Sequence, residues 1–224
     1  EAFIKTDLYN PKRQMLGKEQ EAWLQNALQT SKARGAAWQV LGQQVLMGKL
    51  NIPVIPPEEL AKLELSEYAR PRVAQSQQLA PYGLPSNLDA WDGYPAARER
   101  LFAMFSAHAT NPISLAGDTH NGWAFNLTNQ KGEAVGVEWG TPGVSSPGLE
   151  NYVPLPPEPM QALLKGASPE LVACDTSQRG WTHVTLTPEA ATAQRRFVSS
   201  VTEPTYQVSA GEPLVSQRNT RKLD

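Results

Sequence analysis

Asp118 and His120 are the residues whose types and spacing first suggest chemistry in this 224-residue chain. They directly follow the short apolar run Ile113-Ser114-Leu115-Ala116 and the turn residue Gly117. A strand end of this kind delivers side chains to the rim of a sheet, where α/β proteins place their sites. Glycine lets the backbone turn sharply at that point. In an extended segment, residues two apart point to the same side. A hard carboxylate beside a borderline imidazole suits iron, zinc or manganese. The triplet is short, and a plainer role competes with this one: Asp118 capping a turn and His120 bonding locally.

Other polar residues carry weaker signals. Asn121 and Asn126 could stand in or just outside a ligand shell, although asparagines commonly satisfy turns. Asp89 and Asp92 flank Trp91 just ahead of a helix start, where capping is the expected role. His108 lies on an apolar helix stripe and reads as a core or boundary residue. His183 falls mid-strand, two residues after Trp181. Gly143-Val144-Ser145-Ser146-Pro147 approaches the G-x-S-x-G serine elbow, but Pro147 replaces the last glycine and no strand–turn–helix context surrounds it. No glycine-rich phosphate loop of the G-x-x-x-x-G-K-[ST] type is present.

The elements that must position these residues follow from periodicity. Residues 17–31 read as a helix, with Trp23, Leu24, Ala27 and Leu28 at helical spacing. Residues 38–47 read as a strand. Residues 51–86 are rich in proline and read as a long insertion or lid, with a short helix expected within 58–69. Residues 95–108 form the clearest helix: Pro95 fits the first turn, and Ala97, Leu101, Met104, Phe105 and His108 make one stripe. Residues 113–116 form a strand. Residues 123–128 and 133–139 flank Asn129-Gln130-Lys131-Gly132 as a hairpin. A short helix at 160–165 and strands at 181–187 and 192–201 complete the pattern. The segment 205–224 reads as a polar, peripheral tail. Helices alternate with strands early and strands cluster late, so an α/β layered sandwich of two sheets flanked by helices is expected.

Composition narrows the partners. The net charge of −2 gives no bulk electrostatic reason for a nucleic-acid or membrane partner. No apolar run approaches the roughly 18 residues of a membrane helix. The single cysteine, Cys174, excludes an intrachain disulfide and any CxxC site. The chain opens on Glu1 rather than Met, so a processed or truncated N-terminus is expected, and the start carries no information on export.

Four segments together resemble the alkaline phosphatase D (PhoD-like) family of metallophosphatases. They are Gln20-Glu21-Ala22-Trp23-Leu24 continuing to Trp38-Gln39-Val40-Leu41-Gly42-Gln43-Gln44-Val45; Asp89-Ala90-Trp91-Asp92-Gly93-Tyr94-Pro95-Ala96-Ala97-Arg98; Asn111-Pro112-Ile113-Ser114-Leu115-Ala116-Gly117-Asp118-Thr119-His120; and Val137-Glu138-Trp139-Gly140-Thr141-Pro142-Gly143-Val144-Ser145-Ser146-Pro147-Gly148. Arg179-Gly180-Trp181 through Arg196-Phe197-Val198 is similar to the family's closing strands. The W-D-G-Y-P-A-A-R and G-D-x-H pair is the specific part.

The resemblance implies a metallophosphoesterase fold and hydrolysis of phosphomonoesters and phosphodiesters at a multimetal centre of Fe3+ and Ca2+, with Zn2+ or Mn2+ also compatible. It implies that Asp118 and His120 occupy the family's last metal-binding motif and act in catalysis. Asn121 stands where the family often has serine, which bears on a contact behind the metal. The family is typically exported, often by the twin-arginine route, so a periplasmic or extracellular location is expected. Its earlier ligands are Asp, Tyr and Asn residues upstream of Gln20. Here residues 1–18 hold only Asp7, Tyr9 and Asn10, in no recognisable motif. The chain therefore resembles the C-terminal part of a catalytic domain, with a phosphoester substrate and the N-terminal half of the domain as partners. The alternatives are a non-catalytic fragment that needs that half, or a β-rich binding module.

Overall fold

The computed structural model describes residues 2–224. In chain order the helices are α1 (Lys18–Ala33), α2 (Pro57–Leu60), α3 (Ala69–Leu79), α4 (Pro95–His108) and α5 (Pro157–Ala167). The strands are β1 (Gln39–Gly42), β2 (Pro112–Ala116), β3 (Gly122–Thr128), β4 (Ala134–Gly140), β5 (Leu171–Asp175), β6 (Gly180–Leu186), β7 (Ala190–Val198), β8 (Val208–Ala210) and β9 (Leu214–Gln217).

Five strands form one sheet in the order β1-β2-β4-β3-β5. β1, β2 and β4 are parallel, whereas β3 runs antiparallel to both β4 and β5. In the second sheet β7 is central, bonding β6 along one edge and β8 and β9 along the other. Alternation along β3 sorts the two faces. Trp123, Phe125 and Leu127 join Leu24 and Leu28 of α1 and Leu101, Phe102 and Phe105 of α4 in one core. Ala124 faces the other way, with Ile113, Val137 and Trp139, toward Ala191 and Ala193 of β7. The result is the expected layered α/β arrangement, helices on one sheet and that sheet on a second.

Several local expectations are corrected. The helix stripe of α1 is narrower than its spacing suggests, because Trp23 is 67% exposed while Leu24 and Leu28 are buried. β1 ends at Gly42, well short of residue 47: Gln43 N–H still bonds the Leu115 carbonyl, but from Met47 on the amides are captured by side chains instead of a strand. Residues 51–86 are not a structureless loop. They contain α2 and α3, bury Ile55, Val73 and Leu84, and close on themselves through Ile52 N–H to the Leu84 carbonyl. The segment 205–224 is not a peripheral tail. It supplies β8 and β9, buries Leu223 between the sheets, and ties Arg221 to the carbonyls of Ala109 (2.8 Å) and Thr110 (3.1 Å). β5 is an element that periodicity did not reveal.

Candidate active site at the end of strand β2

The parallel strands β1, β2 and β4 end on one rim, and the loops that leave them meet there. Gly117 N–H donates to the Gln44 carbonyl from the loop after β1, and Thr141 N–H after β4 donates to the Ala116 carbonyl. Residues 117–121 connect β2 to β3 across this rim.

The connection is not extended. Asp118 and His120 both have left-handed backbones, with φ of 66° and 62°. Asp and His tolerate that region better than most residues, but each such residue still costs on the order of 1 kcal/mol and needs surrounding bonds to hold it. Those bonds are present. Trp123 Nε1 donates to Thr119 Oγ1 at 2.6 Å. Gly143 N–H donates to the His120 carbonyl at 3.0 Å. The Arg179 guanidinium donates to the same carbonyl and to that of Ser146, and forms an ion pair with Glu150 at 2.8 Å. Asn121 Oδ1 accepts from Leu149 N–H at 2.9 Å. The 117–121 loop is thus fastened along its length to the loop after β4.

Two side chains remain available for chemistry. The Asp118 carboxylate is exposed, its one hydrogen bond among the described residues a long 3.5 Å bond from Gln44 Nε2. His120 Nδ1 lies 2.8 Å from the Pro147 carbonyl. A carbonyl only accepts, so in the neutral ring Nδ1 carries the proton and Nε2 keeps its lone pair. Asp118, Thr119, His120 and Asn121 line one end of a cavity of about 460 Å3.

Behind the rim, five successive N–H groups from Met47 to Asn51 are taken by side chains. Glu138 accepts from Met47 and Gly48, Glu170 from Lys49, Asp92 from Leu50 and Ser168 from Asn51, all at 2.8–3.0 Å. Arg98, 1% exposed, pairs with Glu170 at 2.6 Å and donates to the Met47 carbonyl. Trp91 Nε1 donates to Gln43 Oε1 at 3.0 Å. Gly93 packs so close to the Leu88 backbone that a Cβ would lie 2.1 Å from its carbonyl oxygen. The Trp-Asp-Gly-Tyr-Pro-Ala-Ala-Arg segment therefore braces the 43–51 stretch that runs behind Asp118. Asp92 does not cap α4, as its sequence position suggested; its carboxylate holds Leu50. Burial pushes that carboxyl up to about 7, against the opposing pull of the Leu50 hydrogen bond and the Arg98 charge. Burial likewise raises Glu138.

The remaining candidates lie elsewhere. His108 contacts Gln29 between α4 and α1 at 3.4 Å. His183 is exposed on β6, opposite Gln194. Asn126 accepts from Leu223 N–H between the sheets. Asp89 is exposed beside an Asn87 turn. Sequence reasoning missed Glu138, Glu170 and Arg98. For Glu138 a signal existed: a lone acid in the apolar strand Ala134–Gly140.

The fold and rim define a layered α/β protein with its candidate site at the ends of parallel strands. The PhoD-like phosphatase family profile matches residues 1–195, and the chain belongs to that family. It is 30% identical over 219 residues to alkaline phosphatase D of Bacillus subtilis (strain 168), covering 96% of this chain and 32% of that protein. A solved structure described as the structure of PhoD superposes with a TM-score of 0.67 at 28% identity, covering 96% of this chain and 36% of that one. The chain spans about a third of the length of these relatives.

Proposed function

We propose that this chain contributes Asp118 and His120 to the catalytic centre of a metal-dependent phosphoesterase that hydrolyses phosphomonoesters, phosphodiesters or both. The observation that carries this reading is the His120–Pro147 bond, which leaves Nε2 as a ligand atom in the same cavity as the exposed Asp118 carboxylate. A ligating histidine commonly donates its other nitrogen to a carbonyl in this way. The donor set fits a metal in kind, one hard oxygen and one imidazole, but not in number. Among the described residues no third His, Cys, Asp or Glu completes a cluster. The family resemblance supports ligands supplied from outside this chain, and on this reading the isolated chain is inactive.

Iron with calcium is the metal pair we favour, with zinc or manganese as substitutes. Metal ions bound there supply positive charge to the phosphate oxygens and lower the pKa of a water. Asp118 balances part of that charge, and His120 holds its nitrogen fixed through Pro147. The braced 43–51 segment and the Thr119–Trp123 bond keep the loop from relaxing. The family resemblance supports a phosphoester substrate, an N-terminal half of the domain as the completing partner, and export to the periplasm or cell exterior.

The test is Asp118→Ala and His120→Ala in a protein that carries this chain and the remaining length of its relatives. Both metal content and hydrolysis of a chromogenic phosphoester should fall. Unchanged metal content and unchanged activity would sink the assignment.

A further inference from the structure

The cavity beside Asp118 and His120 changes character along its length. Its volume of about 460 Å3 falls within the roughly 300–1,000 Å3 range of small-molecule sites. One end is polar. Beyond it the walls are Ile55, Val73 of α3, Leu149, and Met160 and Leu164 of α5. Among the described residues that line it there is no lysine or arginine. A second anionic group would find no cation there. Of the polar side chains that also line it, Gln77 is committed to Ile55 N–H and the Pro53 carbonyl and Ser76 to the Val73 carbonyl, which leaves Ser86 and Tyr152 for a substrate hydroxyl. Asn121, which also lines the cavity, is 1% exposed. Its Oδ1 is committed to Leu149 N–H, which fixes the amide orientation, and its Nδ2 meets no acceptor.

The geometry points to phosphoesters that carry one uncharged apolar substituent, alkyl or aryl, as the preferred substrates. The phosphate sits at Asp118 and His120, and the substituent fills the apolar length of the cavity. This rests on the phosphoesterase reading above for the position of the phosphate. The apolar half stands on the cavity walls alone.

The experiment uses the metal-loaded protein with its full family length and a series of n-alkyl phosphates from two to eight carbons, with phenyl phosphate and glycerol phosphate beside them. Catalytic efficiency, kcat/KM, should rise about three- to fourfold per methylene until the cavity is filled. Phenyl phosphate should exceed ethyl phosphate, and glycerol phosphate should not. Val73→Trp, which fills the cavity, should reduce the octyl-over-ethyl preference at least tenfold, with its melting temperature reporting folding. Binding of n-alkyl phosphonates to His120→Ala, measured by calorimetry, needs no turnover and should keep the same chain-length slope. A flat series in both hydrolysis and binding overturns the inference, even where His120 proves essential. A retained slope with hydrolysis indifferent to His120→Ala supports the inference and overturns only the metal assignment.

Discussion

His120 is held from two sides: its ring Nδ1 bonds the Pro147 carbonyl at 2.8 Å, and its own carbonyl receives Arg179 and Gly143. The first contact selects the tautomer and the second fixes the left-handed backbone. Together they hold the ring in the cavity wall, through the loop after β4 and Arg179 just ahead of β6.

His120→Asn should separate these roles. Asparagine offers an N–H near the Nδ1 position and tolerates left-handed φ, but it has nothing at Nε2. Melting temperature should stay close to the parent value. Metal affinity and hydrolysis in the full-length protein should fall by at least the roughly 10- to 100-fold that loss of a ligand's hydrogen-bond partner costs. Parent-like activity would show that Nε2 is not a ligand.

Gly148→Ala should damage the loop. A Cβ there would lie 2.6 Å from Asn121 Nδ2, 2.7 Å from Glu150 Oε2 and 2.8 Å from Arg179 Nη1. All three side chains belong to the network that fastens residues 117–121, through Asn121 Oδ1, Glu150 Oε1 and Arg179 Nη1, so displacing them strains those bonds. A loss on the order of 1–3 kcal/mol is expected in denaturant unfolding. A variant as stable as the parent would mean that the loop repacks freely.

Glu170→Ala should be severe, because it removes the ion-pair partner of buried Arg98 and leaves Lys49 N–H without an acceptor. A cost of roughly 3–5 kcal/mol is expected. Adding Arg98→Met should recover part of it, since removing both charges avoids the isolated one. Equilibrium unfolding of the two single variants and the double variant measures the coupling; additive losses would argue against it.

Asp92 gives a pH dependence with a definite sign. Its carboxyl titrates near 7 when folded, against an ordinary value of 3.8. Between those values the folded state holds a proton that the unfolded state has lost, so stability falls as pH rises through about 7. Asp92→Asn keeps an oxygen for Leu50 N–H and carries no charge. It should flatten the decline between about pH 4 and 7, by an amount on the order of a few kcal/mol. Parallel stability profiles for the two proteins would rule out Asp92 as the source.

The sequence by itself located α4 and the β3–β4 hairpin, because a proline start, a 3.6-residue stripe and a glycine-containing turn are local signals. It also singled out Asp118 and His120, since a strand end followed by glycine is legible in a short window. It could not show that the connection is left-handed at both residues. That conformation is unfavourable locally and exists only through Arg179, Gly143 and Leu149, which lie 23 or more positions away in the chain. Nor could it assign the 47–51 segment, whose amides bond side chains from β4, from Asp92 just ahead of α4 and from the turn between α5 and β5 instead of a neighbouring strand. Asp92 looked like a cap because capping is a short-range role, whereas its real partner, Leu50, is set by packing. The polar composition of residues 205–224 concealed the ladder they complete on β7. Only the tertiary structure decided these points, because each depends on groups brought together from distant parts of the chain.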